Sequence, residues 1–368
     1  MAKKKPNRRQ LAQRPKGKTL AVPPVSPRLL ADIRQLIDDS RQAVAQTVNT
    51  VLIWLYWNIG KRIRQDVLKH KRADYGEEIL STLSKELMAL YGKGFSVPNL
   101  SRMMRFAEVF SDERIVSALM RQLSWSHFVL ILPLDDPLQR DFYAEMCRIE
   151  RWSVRTLQQK INGMLFERTA LSKKPAKLAR QELAALREED RLTPDLVFRD
   201  PYFLDFLGLK DTYAEKDLET AVLRELEAFI LELGAGFAFV ARQKRITIGG
   251  QDYYLDLLFY HRGLRRLVAI GLKLGQFQAA HKGEMELYLR WLERHEQQPG
   301  EESPLGLILC AGKSDEHIEL LRLDESGIRV SAYMTELPPR KLLEKKLHDA
   351  VRAARARLKA RERNDGKP

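Results

Sequence analysis

The stretch that most constrains this chain is Tyr253 to Gly275, YYLDLLFYHRGLRRLVAIGLKLG. Tyr253, Leu255, Leu257 and Phe259 alternate with Tyr254, Asp256, Leu258 and Tyr260, the two-residue period of a strand, and a second apolar run, Arg266 to Ile270, follows after His-Arg-Gly-Leu. The spacing predicts a β-hairpin. With its turn centred between Gly263 and Leu264, position 256 falls opposite position 271, and side chains at 271 and 273 point to that same face. Asp256, residue 271 and Lys273 are therefore expected to converge. Asp256 is a lone carboxylate among apolar residues, where a buried charge needs a partner or a metal. Spacing alone leaves two readings open, a structural Asp–Lys pair near a strand end and a ligand-holding acid.

The order of elements around the hairpin predicts a mixed α/β sheet. Asp217 to Leu233 reads as one amphipathic helix ending at Gly234, Phe237 to Arg242 and Ile246 to Ile248 as short strands, and Gly249-Gly250 as the turn into the Asp256 strand. Lys282 to His295 reads as a helix, with strands at Leu305 to Cys310 and Ile328 to Met334. Glu219 lies near the start of its helix, where an acid also complements the helix dipole. Gln243, at a strand end, is a candidate for positioning water or phosphate.

Upstream, the pattern is helical. Leu29, Leu30, Ile33, Leu36, Ile37, Val44, Val48, Val51, Leu55 and Ile59 recur at three- and four-residue steps, and Trp54, Tyr56 and Trp57 join them as core aromatics. Tyr75 to Tyr91 is a second helical segment that stops at Gly92-Lys93-Gly94. A third starts at Ser96-Val97-Pro98-Asn99, with Ser96 placed to cap and Pro98 in the first turn. Its expected inward face is Leu100, Met103, Met104 and Ala107, leaving Asn99, Arg102, Arg105 and Phe106 outward. Helix, short glycine turn, helix is the outline of a helix-turn-helix, which makes Asn99, Arg102 and Arg105 candidate DNA-contacting residues; the same outline occurs in plain bundles. Ser124, Ser126 and His127 in LSWSHF read as a capping serine beside a buried aromatic and not as nucleophile chemistry, since no acid is placed to orient the histidine.

Charge matters through its location. The net charge is +14, of which residues 1–20 carry +8 and residues 340–368 carry +7. Any non-specific attraction to phosphate is expected at these two ends, which otherwise read as solvated tails. Cys147 and Cys310 form neither a disulfide framework nor a metal-ligand spacing, and a reducing cytoplasm is the simplest setting. The apolar run Val51 to Trp57 is far short of the ~20 residues of a membrane span. P-loop, Rossmann, HExxH and paired CxxC patterns are absent.

From about Ser26 to Leu337, through QLSWSHFVLILPL, FYAEMCRIERWSVRTL, DLETAVLRELEAFILELGAGFAFVARQ, YYLDLLFYHR and PLGLILC, the chain resembles the YhcG family of bacterial proteins, which carries a PD-(D/E)XK (PDDEXK) nuclease domain. The resemblance implies a helical, helix-turn-helix-like DNA-binding domain at 26–170; the segment after it, highly charged with alanine and leucine between, reads as a solvent-exposed helix flanked by loops, a linker at 171–198. The resemblance also implies a restriction-endonuclease-like α/β domain at 199–338, and the charge distribution leaves basic tails at 1–25 and 339–368. By the resemblance, Asp256 and Glu219 hold Mg²⁺ or Mn²⁺, Lys273 is the motif lysine, and the partner is DNA. The motif would place a carboxylate at 271, in a phrase like AIELK, and this chain has AIGLK with Gly271. Loss of that oxygen ligand should weaken metal binding and water activation together. Two outcomes stay open, an impaired metal-dependent endonuclease and a nuclease-fold protein that binds DNA without cutting. Glu284 and Glu286 on the next helix are the nearby acids that could substitute.

Overall fold

The computed structural model describes residues 27–69, 73–209, 214–234 and 236–365. The solvated basic tail expected at residues 1–25 lies outside these. The chain divides into a unit of residues 1–48 and a unit of residues 49–368. The first helix is Pro27–Lys69, as its period predicts, but Ile33, Leu36, Ile37, Val44, Val48, Val51 and Leu55 are exposed.

Within the second unit, Ile53 and Trp57 join a helical core with Phe106, Phe128, Phe142 and Tyr143. The Trp57 indole also donates to Phe110 O at 2.8 Å, which satisfies its one polar atom inside the core. Phe106 corrects the sequence reading. It is fully buried against Phe110, Trp125 and Phe128 rather than outward. Ser124 is the N-cap residue of the helix Trp125–Ile131, as expected, and His127 at the third helical position completes the cap: Nδ1 accepts from Ser124 N at 3.0 Å, and Nε2 lies 3.0 Å from Trp152 O.

The charged segment read as an exposed linker also differs. The helix Ala176–Glu189 buries Ala179, Leu183 and Leu186 in the same helical core, because its small and apolar residues recur at three- and four-residue steps between the charges. The basic C-terminal segment is likewise no loose tail through its described length. Arg340–Asp365 is a helix that buries Leu343 and Leu347 against Met164 and Phe203.

Six strands form one sheet: β1 Tyr202–Phe203, β2 Phe237–Ile248, β3 Gln251–His261, β4 Arg266–Gln276, β5 Leu305–Gly312 and β6 Ile328–Met334. Their order is β1-β6-β5-β4-β3-β2. Strands β2, β3 and β4 pair antiparallel, whereas β4, β5, β6 and β1 pair parallel. The β2–β3 turn is Gly249-Gly250 with φ of +56° and +80°, the left-handed pair that a tight two-residue hairpin demands. In the β3–β4 hairpin Leu257 faces Ile270 and His261 faces Arg266, the register read from the sequence.

Each face of the sheet carries its own apolar layer. On one, Leu218, Val222, Phe229 and Leu233 pack on Leu257, Phe259, Ile270 and Leu272. On the other, Met285, Leu289 and Leu292 of the helix Ala279–His295 pack on Leu258, Ala269 and Ile308. The expected single helix over 217–233 is two, Glu215–Arg224 and Leu226–Leu233, broken at Glu225. The two short strands expected before Gly249 are one strand with a bulge between Phe239 and Ala241.

Glu232 closes the helical side of this layer. Its carboxylate accepts from Arg168 Nη1, from Arg199 Nη1 at 3.1 Å and from Phe203 N at 2.9 Å. Both arginines are only 4% exposed, so each depends on this one acid for its counter-charge.

Candidate active site

The site begins where β3 and β4 stop pairing. Their ladder runs to Leu257–Ile270, and one step beyond it the Asp256 side chain takes the place of a backbone partner. Asp256 Oδ2 accepts from Leu272 N at 2.8 Å. Strand β3 is irregular here, since Leu255 and Leu258, three residues apart, belong to the same apolar layer while Leu257 belongs to the opposite one. Strict alternation, assumed in reading the sequence, does not hold across Asp256.

Burial holds the Asp256 carboxyl above the usual carboxylate range. The Leu272 N–H, the Lys273 charge and the Gln243 amide oppose that rise, and the negative charge of Glu219 adds to it.

Gln243 joins the two acids. Its Nε2 donates to Glu219 Oε2 at 3.0 Å and to Asp256 Oδ1 at 3.1 Å. To reach both, the residue adopts φ of +42° in mid-strand, between the pairs Arg242–Leu257 and Lys244–Leu255. A non-glycine residue there is uncommon and costs about 1–3 kcal/mol. The three side chains line a cleft of about 500 Å³ with Lys216, Arg242 and Leu272. Lys216 lies one turn before Glu219 on the same helix, a spacing that puts both on one face.

Lys273 and Gly271 lie on the face of β4 opposite to Leu272. Leu272 packs in the layer beside Glu219, so its neighbours are directed to the opposite side. Lys273 Nζ lies 3.2 Å from Glu284 Oε2, and Glu284 Oε1 accepts from the Tyr288 hydroxyl at 2.9 Å. A Cβ at Gly271 would meet Met285 Cε at 3.3 Å. The expected convergence of 256, 271 and 273 holds in part: 271 and 273 face the helix Ala279–His295, and Asp256, set in the gap between the strands, still feels the Lys273 charge. Of the two substitute acids, Glu284 is beside Lys273, whereas Glu286 pairs with Lys282 at 3.4 Å.

Among the described residues no three His, Cys, Asp or Glu side chains cluster in a way that could hold a metal ion. The two carboxylates that share the Gln243 nitrogen do fit a hard cation that keeps most of its water, as Mg²⁺ does when one or two carboxylates bind it. Lys216 and Arg242 come to the cleft only in three dimensions. Arg242 had one signal in sequence, its position beside Gln243.

The helix-turn-helix outline is present as Ala73–Tyr91, a turn through Lys93–Phe95, and Val97–Val109. Ser96 occupies the cap position without a side-chain cap hydrogen bond. Asn99 is engaged within the fold, its amide donating to Gly94 O and its carbonyl accepting from Trp125 Nε1 at 3.2 Å. Arg105 pairs with Glu108 at 3.1 Å, and Arg102 is exposed. Cys147 and Cys310 are free and buried. No helix of the described residues is long and apolar enough to cross a membrane.

Comparison with known proteins finds two family matches. Residues 32–168 match the DUF1016 N-terminal domain, and residues 195–348 match the YhcG PDDEXK nuclease domain. The chain is 34% identical over 347 residues to an Escherichia coli (strain K12) protein named "Putative nuclease YhcG", covering 86% of this chain and 92% of that one. Among solved structures, a repair endonuclease from Pyrococcus abyssi aligns at 20% identity over 35% of this chain and 50% of its own, with a TM-score of 0.24. EndoMS in apo form aligns at 15% identity over 39% and 50%, also with a TM-score of 0.24. Those overlaps are too slight to bear on the site.

Proposed function

Because the chain belongs to the YhcG PDDEXK nuclease family, we propose that it is a DNA endonuclease working at the Glu219–Asp256 pair with Mg²⁺ or Mn²⁺, and that Gly271 makes it slow. The observation that carries this reading is the sharing of one amide nitrogen by two carboxylates at 3.0 and 3.1 Å, at the mouth of a cleft with two basic residues. Glu219 and Asp256 would hold the cation, which when bound supplies charge stabilisation and a more acidic water.

The remaining work falls to the chain's own side chains. Lys216 and Arg242 draw the phosphodiester into the cleft by charge. The Lys273 ammonium, held by Glu284, orients the attacking water or donates to the phosphoryl oxygen as negative charge builds there. Arg102 and Arg105 on the second helix of the helix-turn-helix hold the duplex through its phosphates and base edges. The buried free thiols fit a reducing compartment such as the cytoplasm.

The test is cleavage of duplex DNA by the full chain with Mg²⁺ or Mn²⁺, against Asp256→Ala and Lys273→Ala. Slow, metal-dependent cleavage that both substitutions remove is the expected result. Undiminished cleavage by Asp256→Ala would move the chemistry away from this site.

Gly271 favours a second reading, a DNA-binding protein that no longer cuts. A Cβ at residue 271 would lie 3.3 Å from the Met285 methyl, so the present packing crowds the place from which an acid would project. Tight duplex binding without cleavage under any divalent metal would establish it.

A further inference from the structure

Gln243 holds its amide between two acids at the expense of backbone strain. Its left-handed φ of +42° interrupts a twelve-residue strand, and no glycine eases it. The result is placement. An amide nitrogen carries two hydrogens, and here one goes to Glu219 and the other to Asp256. Yet the amide is neutral. It satisfies two acceptors without cancelling either charge, and Asp256 still carries the repulsion of Glu219.

A single nitrogen within about 3 Å of an oxygen from each acid occupies the position that a cation bridging them would take. We propose that Gln243 is a displaceable occupant of the cation position. Before metal arrives, its amide keeps the two carboxylates turned toward each other, and a divalent cation binds only by pushing it aside. This rests on the reading that Glu219 and Asp256 hold a cation, and it adds a gate to that site. The basic lining of the cleft, Lys216 and Arg242, opposes cation entry further, so a phosphate that engages those two residues should ease displacement.

The experiment is a Mn²⁺ titration of the metal-stripped full chain, read by calorimetry and by the electron paramagnetic resonance signal of free Mn²⁺. Gln243→Gly removes the amide and suits the left-handed backbone; Gln243→Asn keeps an amide too short to span both acids. Both should bind Mn²⁺ about 10-fold more tightly than the parent, the lower end of what hydrogen bonds to charged groups are worth. Asp256→Asn should abolish binding in every background. If binding depends on Asp256 but Gln243→Gly binds equally or more weakly, the amide supports the ion and the gate is overturned, with the nuclease reading intact. If no variant shows Asp256-dependent Mn²⁺ binding, both the gate and the cation-holding role of the pair fall. Melting temperatures of each variant separate misfolding from loss of affinity. If Gln243→Gly fails to fold, Gln243→Asn alone decides the result.

Discussion

Lys273 Nζ lies 3.2 Å from Glu284 Oε2, so the lysine of β4 takes its counter-charge from the next helix and not from its own strand. Two residues before the lysine Gly271 supplies no acid, and Glu284 holds the ammonium. Tyr288 in turn fixes Glu284, through a hydroxyl donated at 2.9 Å.

Glu284→Gln should then act on chemistry more than on stability. The pair is partly exposed, with 20% and 38% of the two side chains accessible, and such pairs contribute at most about 1 kcal/mol. Residual cleavage should fall ~10-fold as the lysine loses its position, less than the ~10²–10⁴ that a positioned group itself supplies, because the lysine is still present. The double variant with Lys273→Ala should be no slower than Lys273→Ala alone, which single-turnover rates would check. Additive losses would mean that Glu284 acts independently of the lysine.

Asp256 gives a pH signature. Burial raises its carboxyl above the ordinary range, so between the unfolded and folded values the folded chain holds a proton that the unfolded chain has released. The stability tied to this group is full below the unfolded value, about 3.9, and is lost as pH rises through the folded one. Asp256→Asn should therefore melt higher than the parent near pH 7, with the gap closing toward pH ~4. Thermal melts in chelator across that range measure it, and a gap independent of pH would remove burial of the charge as the cause.

The hairpin was the most legible part of the sequence. Its register, Leu257 against Ile270, follows from alternation and a four-residue turn, because slipping one residue would turn every apolar side chain to the wrong face. The irregularities were not legible. Gln243 is left-handed without a glycine to announce it, and the break in alternation around Asp256 lies in a run whose residues all suit a strand. Periodicity put Phe106 outward with Arg102, but Trp125 and Phe128, distant in sequence, cover it. Asn99 shows the same limit, since its partner Trp125 lies 26 residues away.

Asn99 and the two arginines should consequently separate. Arg102→Ala with Arg105→Ala removes one exposed arginine and one surface pair, so duplex affinity should fall with Tm nearly unchanged. Asn99→Ala removes bonds to Gly94 O and Trp125 Nε1, and should cost about 1 kcal/mol of stability. Melting and salt-dependent binding on the same preparations check both. A large fall in Tm for the arginine pair, with binding per folded molecule intact, would make those arginines structural.

Glu232 supplies a stability prediction of a different size. Removing it leaves Arg168 and Arg199 buried without their counter-charge, a change that typically costs about 3–5 kcal/mol. Glu232→Ala should lower the denaturation midpoint strongly, whereas Glu232→Gln, which still accepts hydrogen bonds, should lower it less. Equal effects would show that hydrogen bonding contributes little beside the charge.

Gly271→Glu tests the whole reading of the site. The new Cβ would meet the Met285 methyl at 3.3 Å, tighter than most such contacts, but a terminal methyl on an unbranched chain can turn away. Gly271→Ala isolates that packing step, and relief of strand glycine should offset part of the crowding, since glycine costs roughly 0.5–1 kcal/mol relative to alanine. The glutamate carboxylate would emerge on the side of Lys273 and Glu284, two residues before the lysine. Metal-dependent cleavage should rise by at least ~10²-fold, in line with what one preorganised charge is worth. Asp256→Ala in that background should abolish the gain, because the restored acid cannot hold a cation without the acid across the strand gap. Folded Gly271→Glu protein that binds duplex DNA yet stays inert with every divalent metal would set the nuclease reading aside for this chain and leave DNA binding as its activity.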